Sequence, residues 1–366
     1  YVKNVQKPPL KAALGIHAIA LVQALAAESA DIPPVEFGPL VSGAVSSNDL
    51  FGASPVAFVD EAVSGALLPL DPFLRRDPVV RERLEEIPLG YYTHGQSLWA
   101  LPIYASPIHL HLNLDMLDGA GIKAPSAIAS PGDLLAFCAQ LRTRGFERPL
   151  AWGASLHALS GVFEEHGARI YDPATRRFDL SSPATLAAFG WLRELAALAA
   201  PLPSAVVESF VRQTAPLALW GQLHSAAPFR DAVLALPFKR LYAQSIGVGI
   251  TRRCADPERA WRFVAGLVSP AGSRAMVKMG WVFPATRQAT LASLASRPCL
   301  APIYGQMSQT RDCPMTQMGA RRLTMLNHAV GRWWEPGEGW RQSLAQAEAQ
   351  LNLLEQVSQM SPEALF

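Results

Sequence analysis

The sequence predicts an α/β fold that is divided between two domains. Its 366 residues exceed the usual length of one domain, so two domains are the expected number. Within residues 90–141 the pattern predicts a strand at 108–113, a short helix from Asp115 and a longer helix from Pro131. Ser130 is the N-cap of that longer helix, and proline suits the first helical position because its missing N–H would have no partner there.

Other elements along the chain are predicted from the same signals. An Ala/Leu-rich run predicts a helix at 16–29, and a short apolar run predicts a buried strand at 55–59. The dipeptides Ser182-Pro183 and Asp256-Pro257 each predict the start of a helix. No element is predicted for residues 1–14.

Composition excludes several classes of protein. Half of the residues are apolar and 17% are charged, which is typical of a folded chain and not of a disordered one. The net charge is +2 and the arginine pairs are scattered, so the basic stripe of a nucleic-acid-binding protein is absent from the sequence. The apolar run at 16–27 is too short to cross a membrane.

The four cysteines do not indicate a zinc ribbon or a redox motif, because no C-x-x-C spacing occurs. Cys138 falls on the apolar stripe of the helix from Pro131 and is expected in the core. Cys299 and Cys313 flank a proline-containing loop. Either a disulfide or two free thiols would fit there, and the choice depends on the redox compartment.

Residues 90–141 also carry an ordered set of short motifs. These are Asn113-Leu114-Asp115-Met116-Leu117, Ala120-Gly121-Ile122 and Ser130-Pro131-Gly132-Asp133-Leu134. In this order the motifs resemble the extracellular solute-binding proteins of ABC importers, family 1, which includes maltose-binding and other sugar-binding proteins. The similarity extends from about residue 32 to about residue 351, with further clear markers at 64–71, 167–172 and 256–285.

The resemblance implies a two-lobed periplasmic-binding-protein fold of type II, in which mixed sheets are flanked by helices. It implies strands at 32–37 and 246–250. Two or three crossing segments would form the hinge between the lobes. Lobe one is expected at 1–107 plus 252–298, and lobe two at 108–251 plus 299–366.

The function implied by this resemblance is to bind a sugar or oligosaccharide in the interlobe cleft and deliver it to a membrane permease after hinge closure. The implied location is periplasmic or extracellular, with or without a membrane tether, and no cofactor is implied. Two alternatives stay open: a two-lobed interaction or structural subunit without ligand binding, and an extracytoplasmic carbohydrate-active enzyme. Amino acids, polyamines and metal ions also remain open as ligands, because a fold does not fix its ligand.

Tryptophan and polar residues are the candidates for a sugar site. A sugar presents apolar C–H faces and a rim of hydroxyls, so its site needs flat aromatic platforms and fixed hydrogen-bonding groups. Nine tryptophans are present, and the resemblance places Trp152, Trp220 and Trp281 near the implied cleft, although each could equally fill a core.

Four polar residues complete the predicted ligand-binding set. Tyr104 and Ser106 follow Leu101-Pro102 at the implied binding loop and can offer hydroxyls, unless they only form an ordinary turn. Asp60 and Glu61 follow the predicted strand at 55–59 and can accept hydrogen bonds, because ligands gather beyond the carboxyl ends of strands. A solvated loop is the alternative for this acidic pair.

Metal binding and catalysis have little support in the sequence. His109 and His111 lie two residues apart on a predicted strand, so both imidazoles share one face, as two zinc ligands would. No third or fourth ligand is evident nearby, which favours a structural pair. Glu164 and Glu165 are adjacent and cannot both face one bond on a helix. No nucleophile elbow or phosphate-binding loop occurs, so the chain is not expected to be an enzyme.

Overall fold

The computed structural model describes residues 8–14, 16–28, 32–39, 44–152, 156, 160–201, 214–221, 229–238, 243–279, 283–308, 318–331, 333 and 337–359. The strands are β1 (Leu10–Leu14), β2 (Val35–Gly38), β3 (Leu50–Ala53), β4 (Thr93–His94), β5 (Ser97–Leu98), β6 (Leu101–Pro107), β7 (His109–Asn113), β8 (Leu150–Trp152), β9 (Tyr171–Asp172), β10 (Arg177–Phe178), β11 (Ala199–Pro201), β12 (Leu217–Trp220), β13 (Asp231–Leu234) and β14 (Ala243–Ile250).

The α-helices are α1 (Ile16–Glu28), α2 (Pro55–Val63), α3 (Asp71–Arg76), α4 (Pro78–Arg83), α5 (Glu86–Gly90), α6 (Leu114–Gly119), α7 (Pro131–Thr143), α8 (Ser160–Glu165), α9 (Pro183–Leu198), α10 (Pro257–Leu267), α11 (Pro270–Lys278), α12 (Arg287–Ser296), α13 (Ala301–Ser308), α14 (Gly319–Val330) and α15 (Trp340–Gln359). Among these described helices, none has both the length and the apolar character that a membrane span requires.

The chain divides into two compact units. The first unit contains Tyr1–Ser106 and Ser245–Ser296, and the second contains Pro107–Gln244 and Arg297–Phe366. The chain therefore passes from one unit to the other three times. These passages lie close to the expected lobe boundaries, and the closure of the units as lobes around a ligand stays a prediction.

The first unit is built on a five-stranded sheet with the order β2-β1-β3-β14-β6. Strand β1 lies parallel to both β2 and β3, whereas β14 runs antiparallel to β3, so the sheet is mixed. The expected helix at 16–29 and the expected strands at 32–37 and 246–250 are confirmed by α1, β2 and β14. Strand β1 lies within residues for which the sequence predicted nothing.

The strand predicted at 55–59 is wrong, because these residues begin helix α2. The strand of this region is β3, which ends before Ser54. Pro55 occupies the first turn of α2, where proline is favoured, and Phe58 and Ala62 bury the inner face of the helix with helical spacing. Asp60 and Glu61 therefore lie on a helix and do not follow the carboxyl end of a strand.

The second unit is built on a mixed five-stranded sheet with the order β11-β8-β12-β7-β13. Strand β8 is parallel to β11 and β12, and β7 is antiparallel to β12 and β13. Leu110 and Leu112 of β7 join the large apolar core of this unit, together with Cys138 and Leu141 of α7. The alternating residues His109 and His111 therefore face the other side of the sheet.

The capped helices of the second unit are confirmed as predicted. The Ser130 side chain accepts a hydrogen bond from the backbone N–H of Asp133 at 3.2 Å, and Ser182 caps α9 through Thr185. Cys138 is buried in the core, also as predicted. Cys313 lies outside the described residues and Cys299 is exposed, so the suggested disulfide stays a prediction.

Candidate functional site

Tyr104 and Ser106 lie on strand β6 of the first unit. The predicted binding loop is therefore wrong in its secondary structure, since β6 continues to Pro107. Both residues are almost completely buried, with 5% of Tyr104 and 2% of Ser106 exposed. The backbone carbonyl of Tyr104 accepts a hydrogen bond of 2.6 Å from the Ser245 hydroxyl, and Tyr104 also forms an isolated bridge to Pro284.

The hydroxyl of Tyr92 extends this polar contact in the first unit. Its oxygen lies 3.2 Å from the carbonyl of Ala53 and 3.2 Å from the hydroxyl of Ser245, so its one proton can be donated to either. Burial raises the pKa of Tyr92 well above its usual value, so the phenol stays neutral and keeps its proton. The contact thereby joins β3, β14 and β6 at residues next to two of the three chain passages.

The sequence did not indicate Tyr92 or Ser245 as parts of this network. The available signal was the pair of glycines on β14, because glycine within a strand often marks a close approach of other atoms. A Cβ atom on Gly247 would lie 2.7 Å from the Tyr92 ring, and one on Gly249 would lie 2.5 Å from the carbonyl oxygen of Trp99. The two glycines thus make room for the side chain and backbone that cross this strand.

Asp60 and Glu61 occupy the last two turns of α2 and are both half-buried. Partial burial, and to a lesser extent the neighbouring Asp60 carboxylate, raises the pKa of Glu61. The backbone carbonyl of Glu61 accepts a hydrogen bond of 3.0 Å from the hydroxyl of Ser64, the C-cap residue of the helix. The two carboxylates can still accept hydrogen bonds from a polar ligand, although the structural reason for selecting them was incorrect.

Trp152 is a core residue of the second unit. Its side chain is 0% exposed, and its ring meets Trp333 edge-on with 6.2 Å between centroids. Trp333 in turn packs against Phe189 of α9. In this conformation Trp152 offers no surface to a ligand, and its indole N–H has no hydrogen-bond partner within the described part of the chain. The predicted contact of Trp152 with a sugar stays a prediction.

Trp220 and Trp281 are the other two predicted aromatic platforms. Trp220 is the last residue of β12 and lies opposite His109 in the strand register. Trp281 lies outside the described residues. Of the predicted site residues, Tyr104 and Ser106 thus lie together on strand β6 of the first unit. The role of the three tryptophans as aromatic platforms stays a prediction.

His109 and His111 form a buried pair on the second face of the second sheet. Their ring centroids are 4.5 Å apart, which confirms that they share one face. The Nδ1 atom of His109 lies 2.8 Å from the carbonyl oxygen of Pro107, so Nδ1 carries the proton and Nε2 the lone pair. Burial lowers the pKa of His109 to about 4. Within the described ranges no group of three or more potential metal ligands occurs.

Comparison with known proteins identifies the fold. No protein-family model and no curated protein matches the sequence. A solute-binding protein of an ABC transporter from Thermotoga lettingae, bound to α-D-tagatose, superposes with a TM-score of 0.81 at 16% identity, covering 95% of this chain and 100% of that one. The chain has the substrate-binding-protein fold. UgpB from Mycobacterium tuberculosis, in complex with glycerophosphocholine, matches with a TM-score of 0.79 at 16% identity, covering 97% and 100% of the two chains.

A third structure with the substrate-binding-protein fold carries a disaccharide. It is an ABC-transporter-associated binding protein from B. animalis subsp. lactis in complex with β-1,6-galactobiose. The TM-score is 0.78 and the identity 14%, with 97% of this chain and 98% of that chain covered. The three ligands are a monosaccharide, a disaccharide and a glycerophosphodiester, so the substrate-binding-protein fold accommodates different polar solutes.

Proposed function

We propose that this chain is the substrate-binding component of an ABC importer and that its ligand is a sugar or a short oligosaccharide. The observation that carries the proposal is the match to substrate-binding proteins over nearly the whole chain, with TM-scores up to 0.81. The proposed location is periplasmic or extracellular, where such a protein meets both its solute and the permease. The proposed role requires no cofactor and no bond cleavage.

The proposed mechanism uses the three passages of the chain between the units as a hinge. A ligand shifts the equilibrium between conformations only by its difference in affinity for them, so a sugar must bind one conformation better than the other. Exclusion of water then strengthens the hydrogen bonds to the sugar hydroxyls. The permease would recognise the liganded conformation.

The proposed binding residues are those that the sequence selected. Asp60 and Glu61 would accept hydrogen bonds from sugar hydroxyls, and such charge-assisted bonds are among the stronger ones. Tyr104 and Ser106 would become accessible only through a change of conformation, because both are buried here. Trp220 and Trp281 would supply apolar platforms, and Trp152 would do so only after a change of conformation, because it is 0% exposed here.

Thermal unfolding in the presence of a panel of solutes tests the proposal. A ligand at one hundred times its dissociation constant should raise the free energy of unfolding by about 2.7 kcal/mol. The panel should include mono- and oligosaccharides, with glycerophosphodiesters, amino acids and polyamines as separate arms. A shift with none of them would contradict ligand binding and favour a structural subunit. Release of shorter sugars from an oligosaccharide would instead indicate an enzyme.

The same measurement tests the acidic pair. The double variant Asp60→Asn, Glu61→Gln should weaken sugar binding by about tenfold, which corresponds to roughly 1.4 kcal/mol, near the lower end for hydrogen bonds to charged groups. Glu258→Gln, at an exposed residue of the same unit, is the matched control and should leave the affinity unchanged. Equal affinities for all three proteins would remove the acidic pair from the site.

A further inference from the structure

Two of the three chain passages between the units lie within neighbouring strands of the first sheet. Strand β6 continues across the boundary between Ser106 and Pro107, and β14 crosses the boundary between Gln244 and Ser245. The two strands are neighbours in the strand order, and neighbouring strands lie about 4.8 Å apart. The third passage follows Ser296, the last residue of helix α12. At two places, therefore, the chain crosses as a continuous strand beside another strand.

The hydroxyl of Ser245 ties these two strands together beside their passages. On β14, Ser245 is the first residue that belongs to the first unit, and on β6, Tyr104 lies two residues before the boundary. The Ser245 hydroxyl donates a hydrogen bond of 2.6 Å to the backbone carbonyl of Tyr104. Because only 3% of Ser245 is exposed, water competes little for this bond, and the apolar surroundings strengthen it.

The tie is anchored to the rest of the first sheet. The single proton of Ser245 is donated to β6, so its oxygen is able to accept from the Tyr92 hydroxyl at 3.2 Å. The Tyr92 hydroxyl also lies 3.2 Å from the carbonyl of Ala53, at the end of β3. Strand β6 is held in addition by the backbone hydrogen bond of 3.0 Å from Ala105 to Phe283. The serine hydroxyl is therefore fixed in place by the first unit alone.

We propose that Ser245 is a positioning residue for ligand binding, because its hydroxyl makes the two strand passages bend as one. The inference rests on the proposed function for the movement of the two units. While the hydrogen bond to β6 is present, the two passages share one pivot, which limits the orientations that the units can take. Without it each passage bends separately, and a smaller fraction of the molecules has the orientation that binds. The apparent affinity for the ligand falls in proportion to that fraction.

Pulsed electron spin resonance on the chain without added solute tests the shared pivot. One spin label is placed at Val63 of the first unit, which is 70% exposed, and the other at Leu353 of the second unit, which is 59% exposed. Both labels are attached through unnatural amino acids, so that the native cysteines do not react. The variant Ser245→Ala should widen the distribution of distances between the labels. A distribution as narrow as that of the parent chain would overturn the inference.

The matched control is Ser273→Ala in the same unit. Ser273 is also a buried serine, 6% exposed, and its hydroxyl lies 2.7 Å from that of Thr286. This contact joins helix α11 to the residue before α12 and does not connect the two strand passages. The control should lower the free energy of unfolding, as Ser245→Ala should, but leave the label distances as they are in the parent chain. Equal widening in both variants would show that lost stability, and not the tie, is the cause.

Affinity for a solute found in the thermal-unfolding panel tests whether the pivot serves binding. The variant Ser245→Ala should weaken binding by about two- to tenfold, the range that one typical hydrogen bond can produce. The control Ser273→Ala should bind as the parent chain does. An unchanged affinity in Ser245→Ala, even with wider label distances, would contradict the positioning role.

The two measurements keep this inference separate from the proposed function. A chain that binds solutes but keeps its label distances in Ser245→Ala contradicts the pivot alone. A chain that binds none of the solutes in the panel contradicts the proposed ligand instead. The label distances, which need no ligand, then still decide for or against the pivot.

Discussion

Gly247 shows how one residue in a strand makes room for a buried aromatic ring. A Cβ atom at this position would lie 2.7 Å from two carbon atoms of the Tyr92 ring, a distance that real Cβ contacts do not show. The ring is buried and packs edge-on against Phe58, 5.2 Å between centroids, so it has little space to withdraw. Either the ring or β14 must move to accept a larger residue.

The variant Gly247→Ala should lower the free energy of unfolding by about 1–3 kcal/mol, the usual cost of overpacking a core. Urea denaturation measures this change. Gly190→Ala is the matched control, because a Cβ atom there meets nothing within 4 Å and the residue lies within helix α9. That control should be neutral or stabilising by up to about 1 kcal/mol, since alanine favours helix more than glycine does. Equal stability of Gly247→Ala and the parent chain would contradict the crowding.

His109 makes the stability of the chain depend on pH. Its pKa is about 4 in the folded chain, below the usual 6.5, because burial disfavours the charged imidazolium. Between these two pH values the unfolded chain binds more protons at this residue than the folded chain, so stability falls as pH decreases from about 7 to 4. The neighbouring imidazole of His111 is buried on the same face, with 4.5 Å between the two ring centroids.

The variant His109→Asn should flatten this pH dependence, because asparagine does not titrate there. The loss of stability between pH 7 and pH 4 should be smaller by up to about 3 kcal/mol in the variant, which corresponds to the difference of 2.5 pH units. Urea denaturation across this pH range measures the difference. His94→Asn changes an exposed histidine of β4 and should leave the pH dependence as it is. Identical profiles for His109→Asn and the parent would exclude His109 as the source.

Single residues of the site were the hardest feature to predict from sequence. From its position in the sequence, Trp152 was equally consistent with a ligand platform and with a core residue. The folded chain shows that it is buried, with its ring packed against Trp333. Tyr104 and Ser106 were predicted to lie in a loop because the strand was expected to end soon after Pro102, whereas it continues to Pro107. The ends of an element are the least reliable part of a prediction from sequence. Which side of a strand faces a ligand depends on long-range packing that local patterns do not contain.

Helix α15 holds the small hairpin of the second unit in place. The Asn352 side chain exchanges two hydrogen bonds with the backbone of Phe178, and Glu348 accepts from the backbone N–H of Leu180. Glu355 is nearly buried, with 6% of its side chain exposed, and is held by two arginines. Arg322 of α14 contacts both of its oxygens, and Arg176 of the hairpin lies 3.3 Å from one of them.

The variant Glu355→Gln should lower the free energy of unfolding by roughly 1–3 kcal/mol, because two arginines would lose their counter-charge. The cost is smaller than for a fully buried pair, since water still reaches part of Arg322 and Arg176. Thermal or urea unfolding measures the effect. Glu258→Gln breaks the exposed pair with Arg76 and should cost less than about 1 kcal/mol. A cost no larger at Glu355 than at Glu258 would contradict this account.

At the scale of whole elements, caps were a better guide than apolar runs. Ser130, Ser182 and Asp256 each predicted a helix that the structure contains, because the cap is a local hydrogen bond within the first turn. The short apolar run at 55–59 was assigned to a strand, and this assignment was wrong. A run of four to eight apolar residues is equally consistent with a strand and with a buried helical segment, so its pattern does not decide between them. Strand β1 gave no signal because its alanine-rich sequence is stabilised by strands on both sides.

The first unit takes its whole sheet from two separate segments of the chain. Strands β1, β2, β3 and β6 come from the first segment, and β14 comes from the second. In the strand order, β14 lies between β3 and β6, so the first segment alone cannot complete the sheet. The hydrogen bond of 2.6 Å from Ser245 to the Tyr104 carbonyl shows that the start of β14 lies beside the end of β6.

Joining residues 1–107 to 243–296 through a flexible linker of about six residues should therefore give a unit that folds alone. Such a linker spans roughly 13 Å on average, which suits two chain ends on neighbouring strands. The joined chain should unfold in one cooperative urea transition, because it contains all five strands and helices α10 to α12. Residues 1–107 without the second segment are the matched control and should show no cooperative transition, since β3 and β6 lose their common neighbour. A joined chain without such a transition, or a control as stable as the joined chain, would show that the sheet is not the unit of folding.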